Sequence, residues 1–287
     1  MAVTISNVYV QTFETNVRFL AQQSETKLRA HVTEVHTTGE KHNWERVGST
    51  TATQKTTVLA DTPVAETPWS RRVSVAETWH DGDAIEQEDP VQMLVDPNST
   101  VAKALAMSMK RAVDDLIIAA ATATALNGDG STTAFTAGQT IGDGTSEIGL
   151  DVVLQVQELF VSNDVDPDEA KVFVIGPKQQ RKLMQLMEVT SGDYQNMKAL
   201  ATGVLPNWMG FTWIVSNRLT VPGVGELYCL AFTARGIGLQ INKDITARVA
   251  EDPTKSFAWR LYCHMTMGAV RVEDEHVVLI HLADTVT

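Results

Sequence analysis

The 287-residue chain has two cysteines, Cys229 and Cys263. That is too few for a disulfide framework, and their spacing fits no thiolate metal site. Both lie in apolar, strand-like runs, so they read as buried thiols of a reducing compartment. Long apolar runs are missing too. The longest, Leu116 to Leu126, is Ala/Thr-rich and falls short of the roughly 20 residues a membrane span needs. The N-terminal MAVTISNVYVQTFETN has no basic region ahead of an apolar one, so no signal peptide and no membrane partner are expected. Positive charge is scarce: 23 Lys and Arg stand against 35 Asp and Glu, a net charge of −12. Nucleic-acid binding needs clustered cations on phosphate, and this balance argues against it.

Signatures of catalysis are absent as well. No GxxxxGK[ST] phosphate loop and no GxSxG nucleophile elbow occurs. Gly142, Gly144 and Gly149 have the wrong spacing for a dinucleotide. His31, Glu34 and His36 do not make HExxH, because histidines five apart do not share a helix face. Asp164, Asp166 and Asp168 have the alternation of a calcium loop, but Glu169 stands where glycine is needed and Ile175 where glutamate is needed. No catalytic residue, cofactor or metal is therefore expected.

What is present is patterned. Apolar residues make up 44% of the chain, enough for a real core. Phe13, Val17, Leu20, Leu28 and Val32 have helical spacing and suggest a short amphipathic helix in an arm over 1–35. The stretch His36 to Thr67 is different. Only eight of its 32 residues are apolar and ten are Ser or Thr. Ordering it costs on the order of 50 kcal/mol at about 1.5 per residue, more than its own side chains can offset. It reads as a long hairpin that is either a mobile surface loop or is ordered on another molecule. Arg71 to Trp79 alternates like a strand, Asp81-Gly82 reads as a turn, and an acidic segment runs to Asp96. Ser99 is placed to cap a helix running to about Leu126, with Gly128 ending it; 26 residues give a rod of about 39 Å. Its apolar stripe is Val101, Leu105, Met109, Ala112, Leu116 and Ala120.

Asn127 to Gly149 reads as irregular or hairpin. Beyond it, helices at Leu150–Phe160 and after Pro177 and strands at 171–175, 211–216 and 226–232 form a mixed α/β unit from about Gly130 to Asp244. Phe257 to Met267 alternates as one long strand. Val277 to Leu282 is a second, read as its hairpin partner across the charged turn Glu273-Asp274-Glu275. The long helix is expected to cover that pair.

An extended Thr-rich loop, a strand, an acidic segment, a long Ala-rich helix, an inserted α/β unit and a closing β pair, in that order, resemble the major capsid proteins of tailed phages with the Hong Kong 97 fold. GDAIEQEDPVQMLVDPNS, MKRAVDDLIIAAATATALNGDGS, GVLPNWMGFTWIVSNRL and AFTARGIGLQINKDITARVAEDPTKSFAWRLYCHMTMGAVRVEDEHVVLIHL carry the resemblance over nearly the whole chain. It implies an α+β fold with an N-terminal arm (1–35), an extended β-hairpin loop (36–82), a peripheral domain with a spine helix (83–128 and 245–287) and an inserted axial domain (129–244). It implies a non-enzymatic subunit that self-assembles through pentamers and hexamers into an icosahedral shell around double-stranded DNA. A separate scaffolding protein and a portal are implied partners, and the place is the virion capsid, assembled in the host cytoplasm.

Two contact expectations follow. Arg71 and Arg72 lie beside the extended loop and are expected to meet a neighbour's acidic segment, with Asp81, Asp83, Glu86, Glu88 and Asp89 as partners. The acidic balance is expected to keep the inner wall from gripping DNA. Lys55 is not expected to cross-link covalently. The rivals are an encapsulin-like cargo shell, which shares the fold, and an α/β enzyme using the insert.

Overall fold

Leu261, Cys263, Met265 and Met267 alternate with polar residues along β12 (Ala258–Arg271), and each of the four is buried. That periodicity dictates the architecture: a long strand with one apolar face must be covered on that face. The structure is a computed structural model that describes residues 22–59, 61–62, 64, 66–85, 97–190 and 207–284. The cover is α1 (Pro97–Thr122), whose Leu105, Met109, Val113, Ile117 and Ala121 form the buried stripe. Each step is i to i+4, so the stripe keeps to one helix face.

β12 is central in a four-stranded sheet of order β1 (Thr33–His36), β11 (Ile237–Asp252), β12, β4 (Glu77–Ile85). β1 runs parallel to β11, and the other pairings are antiparallel. A second sheet has the order β7 (Thr140–Ile141), β13 (Val277–Ala283), β10 (Glu226–Thr233), β8 (Lys171–Ile175), β9 (Phe211–Val215). With it go α2 (Leu150–Ser162) and α3 (Pro177–Thr190). A third, small sheet joins β2 (Lys41–Val47), β3 (Trp69–Val75), β5 (Ala125–Asn127) and β6 (Thr132–Thr133). One apolar core runs from α1 through both large sheets.

Several expectations change. β12 and β13 are not a hairpin. β12 pairs with β11 and β4, whereas β13 pairs with β10 and β7 in the other sheet. The charged segment between them is a crossover. All but one residue of β13 are buried, so it belongs between strands with both faces covered. The segment 245–287 thus divides between two sheets. The strand expected through Arg71–Trp79 is two strands in two sheets, broken at Ala76, whose N–H bonds to the Glu40 carbonyl. Asp81-Gly82 is not a turn but lies inside β4. A Cβ on Gly82 would come within 2.9 Å of the Leu261 carbonyl oxygen, so glycine there answers a close strand approach. The long helix starts at Pro97 and ends at Thr122, so Ser99 is inside it and Gly128 follows β5. Residues 13–20 of the expected arm helix lie outside the described residues. Leu28 to Val32 carries a single 3₁₀ turn, Arg29–His31, instead of an α-helix.

That turn is fixed by one buried carboxylate. Asp114, wholly buried on α1, accepts the backbone N–H groups of Lys27 and Leu28 and the Gln23 side-chain amide. Arg29 then bonds to Glu34 at 2.8 Å and Asp244 at 3.2 Å, tying the turn to β1 and β11. Bonding to Arg29 holds both carboxylates below their usual range. Lowered carboxylates contribute stability above their ordinary pKa, and it is lost as pH falls through the lowered values. Amide protection at Thr33–His36 is therefore expected to fall below about pH 4. Hydrogen exchange read against pH checks this: Arg29→Ala should already be unprotected at pH 6 and flatten the dependence.

Candidate functional site

Arg271 closes β12 on the strand's apolar side and is fully buried. A buried guanidinium has five N–H donors to satisfy. Its Nη1 donates to the carbonyls of Ala121 (3.3 Å) and Ala123 (2.6 Å), the open C-terminal end of α1. No basic residue of the helix itself lies in its last turn, so Arg271 supplies the cation that the helix dipole favours there. Its Nη2 donates to Thr133 and Ala134, and the group stands 5.0 Å over the Phe135 ring. Its Nε bonds to Asp274.

Asp274 has a second client. Arg72, only 3% exposed, donates to Asp274 at 2.7 Å and to the Asn127 amide oxygen at 2.7 Å. Burial pushes this guanidinium down and Asp274 pulls it part of the way back. One carboxylate thus joins the root of the β2–β3 hairpin, the end of α1 and the end of β12. Beside it, His276 shares a 2.7 Å hydrogen bond with Thr233 and contacts Glu273 at 3.1 Å, holding that carboxyl below its usual range. These groups cluster where the chain crosses between the two large sheets.

The expected contact residues are dispersed. Arg72 is spent inside its own subunit. Arg71 is exposed and pairs with Glu45 across the hairpin at 3.0 Å. Asp81 and Asp83 lie on β4, in another sheet, and accept the N–H groups of Gly82 and Ala84. Glu86, Glu88 and Asp89 lie outside the described residues. The Asp164–Asp168 loop turns its carbonyls inward on a lysine: Lys171 Nζ donates to those of Asp166 and Pro167, each at 3.1 Å. Among the described residues no group of His, Cys, Asp and Glu could hold a metal ion. Cys229 and Cys263 are buried free thiols, and burial pushes Cys229 up to about 12.

Arg271 and Asp274, which hold the junction, and Asp114, which holds the Arg29–His31 turn, escaped the sequence reading. The available signal was parity: Arg271 continues the buried odd-numbered series of β12, and Asp114 adjoins the buried stripe of α1.

These groups fix structural elements to one another. Comparison with known proteins gives the class. Residues 5–284 match the family model described as phage capsid protein, and the chain belongs to that family. Solved structures share the Hong Kong 97 fold. The capsid of cyanophage P-SCSP1u is 16% identical with a TM-score of 0.73, covering 97% of this chain and 94% of that one. A structure from Mycobacterium phage Che8 is 15% identical, TM-score 0.71, covering 96% and 98%. The cyanophage Pam1 capsid is 11% identical, TM-score 0.71, covering 99% of each. No curated protein sequence matches. The family is a structural one rather than an enzyme family.

Breaking a buried ion pair costs about 3–5 kcal/mol, because the remaining charge is stranded. Asp274→Ala strands two guanidiniums and is expected to cost at least that. Arg71→Ala breaks an exposed pair and is expected to cost less than about 1 kcal/mol. Urea denaturation of the two variants checks the contrast.

Proposed function

We propose that this capsid protein is the major shell subunit, assembling through pentamers and hexamers into an icosahedral shell around double-stranded DNA. The observation that carries this reading is the segment from Gly48 to Pro68. Its described residues are exposed and without regular structure beyond one turn at Thr57–Leu59. Val58, Leu59 and Val64 are each more than 90% exposed. Apolar groups held so far from their own core fit a contact with another molecule. The root of the loop, in contrast, is fixed by Arg72 and Asp274, so the loop is presented in a set direction.

In the same reading, residues 22–36 are the anchored part of the arm and α1 is the spine. The sheet containing β8, β9, β10 and β13 is the core of the axial domain, and the sheet containing β4, β11 and β12 is the core of the peripheral domain. A scaffolding protein and a portal are the partners of assembly in the host cytoplasm, and the subunit has no catalytic role. Arg71 is the member of the Arg71–Arg72 pair able to meet a neighbour's Asp81 or Asp83. The charge of −12 suits a wall that does not grip DNA.

Negative-stain electron microscopy of the chain, expressed with its neighbouring genes, is expected to show round closed shells. Boiling them in detergent is expected to return single chains. A monodisperse monomer under all such conditions would contradict the reading.

A further inference from the structure

The junction around Asp274 does not balance its own charge. Two buried guanidiniums, Arg72 and Arg271, share that one carboxylate. Glu273 beside it is taken by His276 at 3.1 Å and Arg235 at 3.6 Å. Arg271 offsets its burial with the carbonyls of Ala121, Ala123, Thr133 and Ala134 and the ring of Phe135. Arg72 has no such supply. Its Nη1 and Nη2 serve Asn127 and Asp274, while its Nε, shut off from solvent, meets no acceptor among the described residues. Burial first, then the like charges of Arg46 and Arg271, push this guanidinium down against the pull of Asp274. An orphaned N–H on a buried cation is costly unless an anion compensates it.

A cavity of about 560 Å³ lies against the same side chain. Its lining comes from β2, from β3 and from the turn after β5. Two carboxylates belong to it, and both are already engaged. Glu45 pairs with Arg71 at 3.0 Å, and Asp129 accepts the N–H and the hydroxyl of Ser131 at 2.9 and 2.6 Å. Arg46, half-buried on the lining, has no hydrogen-bond or ion-pair partner among the described residues. The cavity is thus left with two guanidiniums, Arg46 and Arg72, whose charge is not matched, on a chain of net charge −12.

We propose that this cavity binds a phosphate-class oxyanion, with Arg46 and the Ser70 hydroxyl as donors and Arg72 as the buried charge that the anion offsets. A multiply charged anion suits an excess of two positive charges, and a guanidinium fork engages two of its oxygens at once. The volume admits free phosphate or the phosphates of a nucleotide, for whose base the exposed Trp69 ring is at hand on the same lining. Bound there, the anion is a further tie between β2, β3 and the turn after β5. The inference concerns the single subunit and stands apart from the shell reading.

The test is isothermal titration calorimetry of the dilute full-length subunit with sodium phosphate, with ionic strength held constant by sodium chloride. One saturable site is expected. Arg46→Gln is expected to weaken it at least about tenfold, the effect of losing one charge-assisted hydrogen bond. Arg46→Lys keeps the charge and is expected to lose less. Lys243→Gln removes the same charge from a different sheet and is expected to bind as the unaltered chain does. Amide exchange at Trp69–Val75 is expected to slow on adding phosphate to the unaltered chain but not to Arg46→Gln, since a ligand stabilises only the state that binds it. Circular dichroism shows whether each variant is folded; should Arg46→Gln not fold, Ser70→Ala takes its place and is expected to weaken binding at least about threefold. A parallel titration with metal-free adenosine triphosphate names the source. Affinity at least about tenfold above that of phosphate assigns the cavity to a nucleotide, a smaller difference assigns it to free phosphate, and both support the site. No saturable binding of either probe, undiminished binding by the folded variant, or an equal loss in Lys243→Gln would each overturn the proposal. Absence of binding to the subunit, together with a lowered shell yield in Arg46→Gln, would give the cavity to a carboxylate of a neighbouring copy and overturn it too.

Discussion

A single carboxylate, Asp274, holding two buried guanidiniums is the interaction on which the rest of the subunit depends. Arg271 alone could not be placed at the end of β12 without a counterion, since desolvating an unpaired guanidinium is prohibitive. Once paired, it reaches the last carbonyls of α1 and the β6 region together. Arg72 uses the other oxygen of the same carboxylate and brings in the hairpin. Three segments far apart in sequence are thereby fixed to one point, beside the crossover between the two large sheets. An apolar core could stabilise these elements, but it would not by itself fix the angle at which the hairpin leaves.

From that point the surface follows. With the hairpin root clamped and residues 22–36 held by Asp114 and Arg29, much of what composition suggested would need a neighbour is already ordered within the subunit. Among the described residues what is left over is narrower, the exposed loop between β2 and β3. Net charge keeps copies apart at long range, so association must rest on local complementarity that outweighs it at short range.

Sequence periodicity made α2, α3, β8, β9 and β10 legible nearly to the residue, because each is a local pattern of step two or of steps three and four. Pairing was not legible. Whether β13 lies beside β12 or β10 is decided by burial on both faces, which a single strand's pattern does not distinguish from a hairpin arm. β11 was missed because its second half, Asn242 to Asp252, leaves the core and its alternation fades into polar residues. Arg72 was misread as a surface charge: its neighbour Arg71 is one, and a charged side chain in a strand does not disclose which face is wet. The capsid resemblance was legible because it rests on the order of elements, which survives where individual residues do not.

The central claim is that the hairpin root is built by the subunit and the loop beyond it is completed only by another copy. Hydrogen exchange measured on dilute subunits and on assembled shells tests this most directly. The account predicts slow exchange at Lys41–Val47 and Trp69–Val75 in both samples, with Gly48–Pro68 slow only in shells. Equal protection of Gly48–Pro68 in the dilute subunit, or none in the shell, would contradict it.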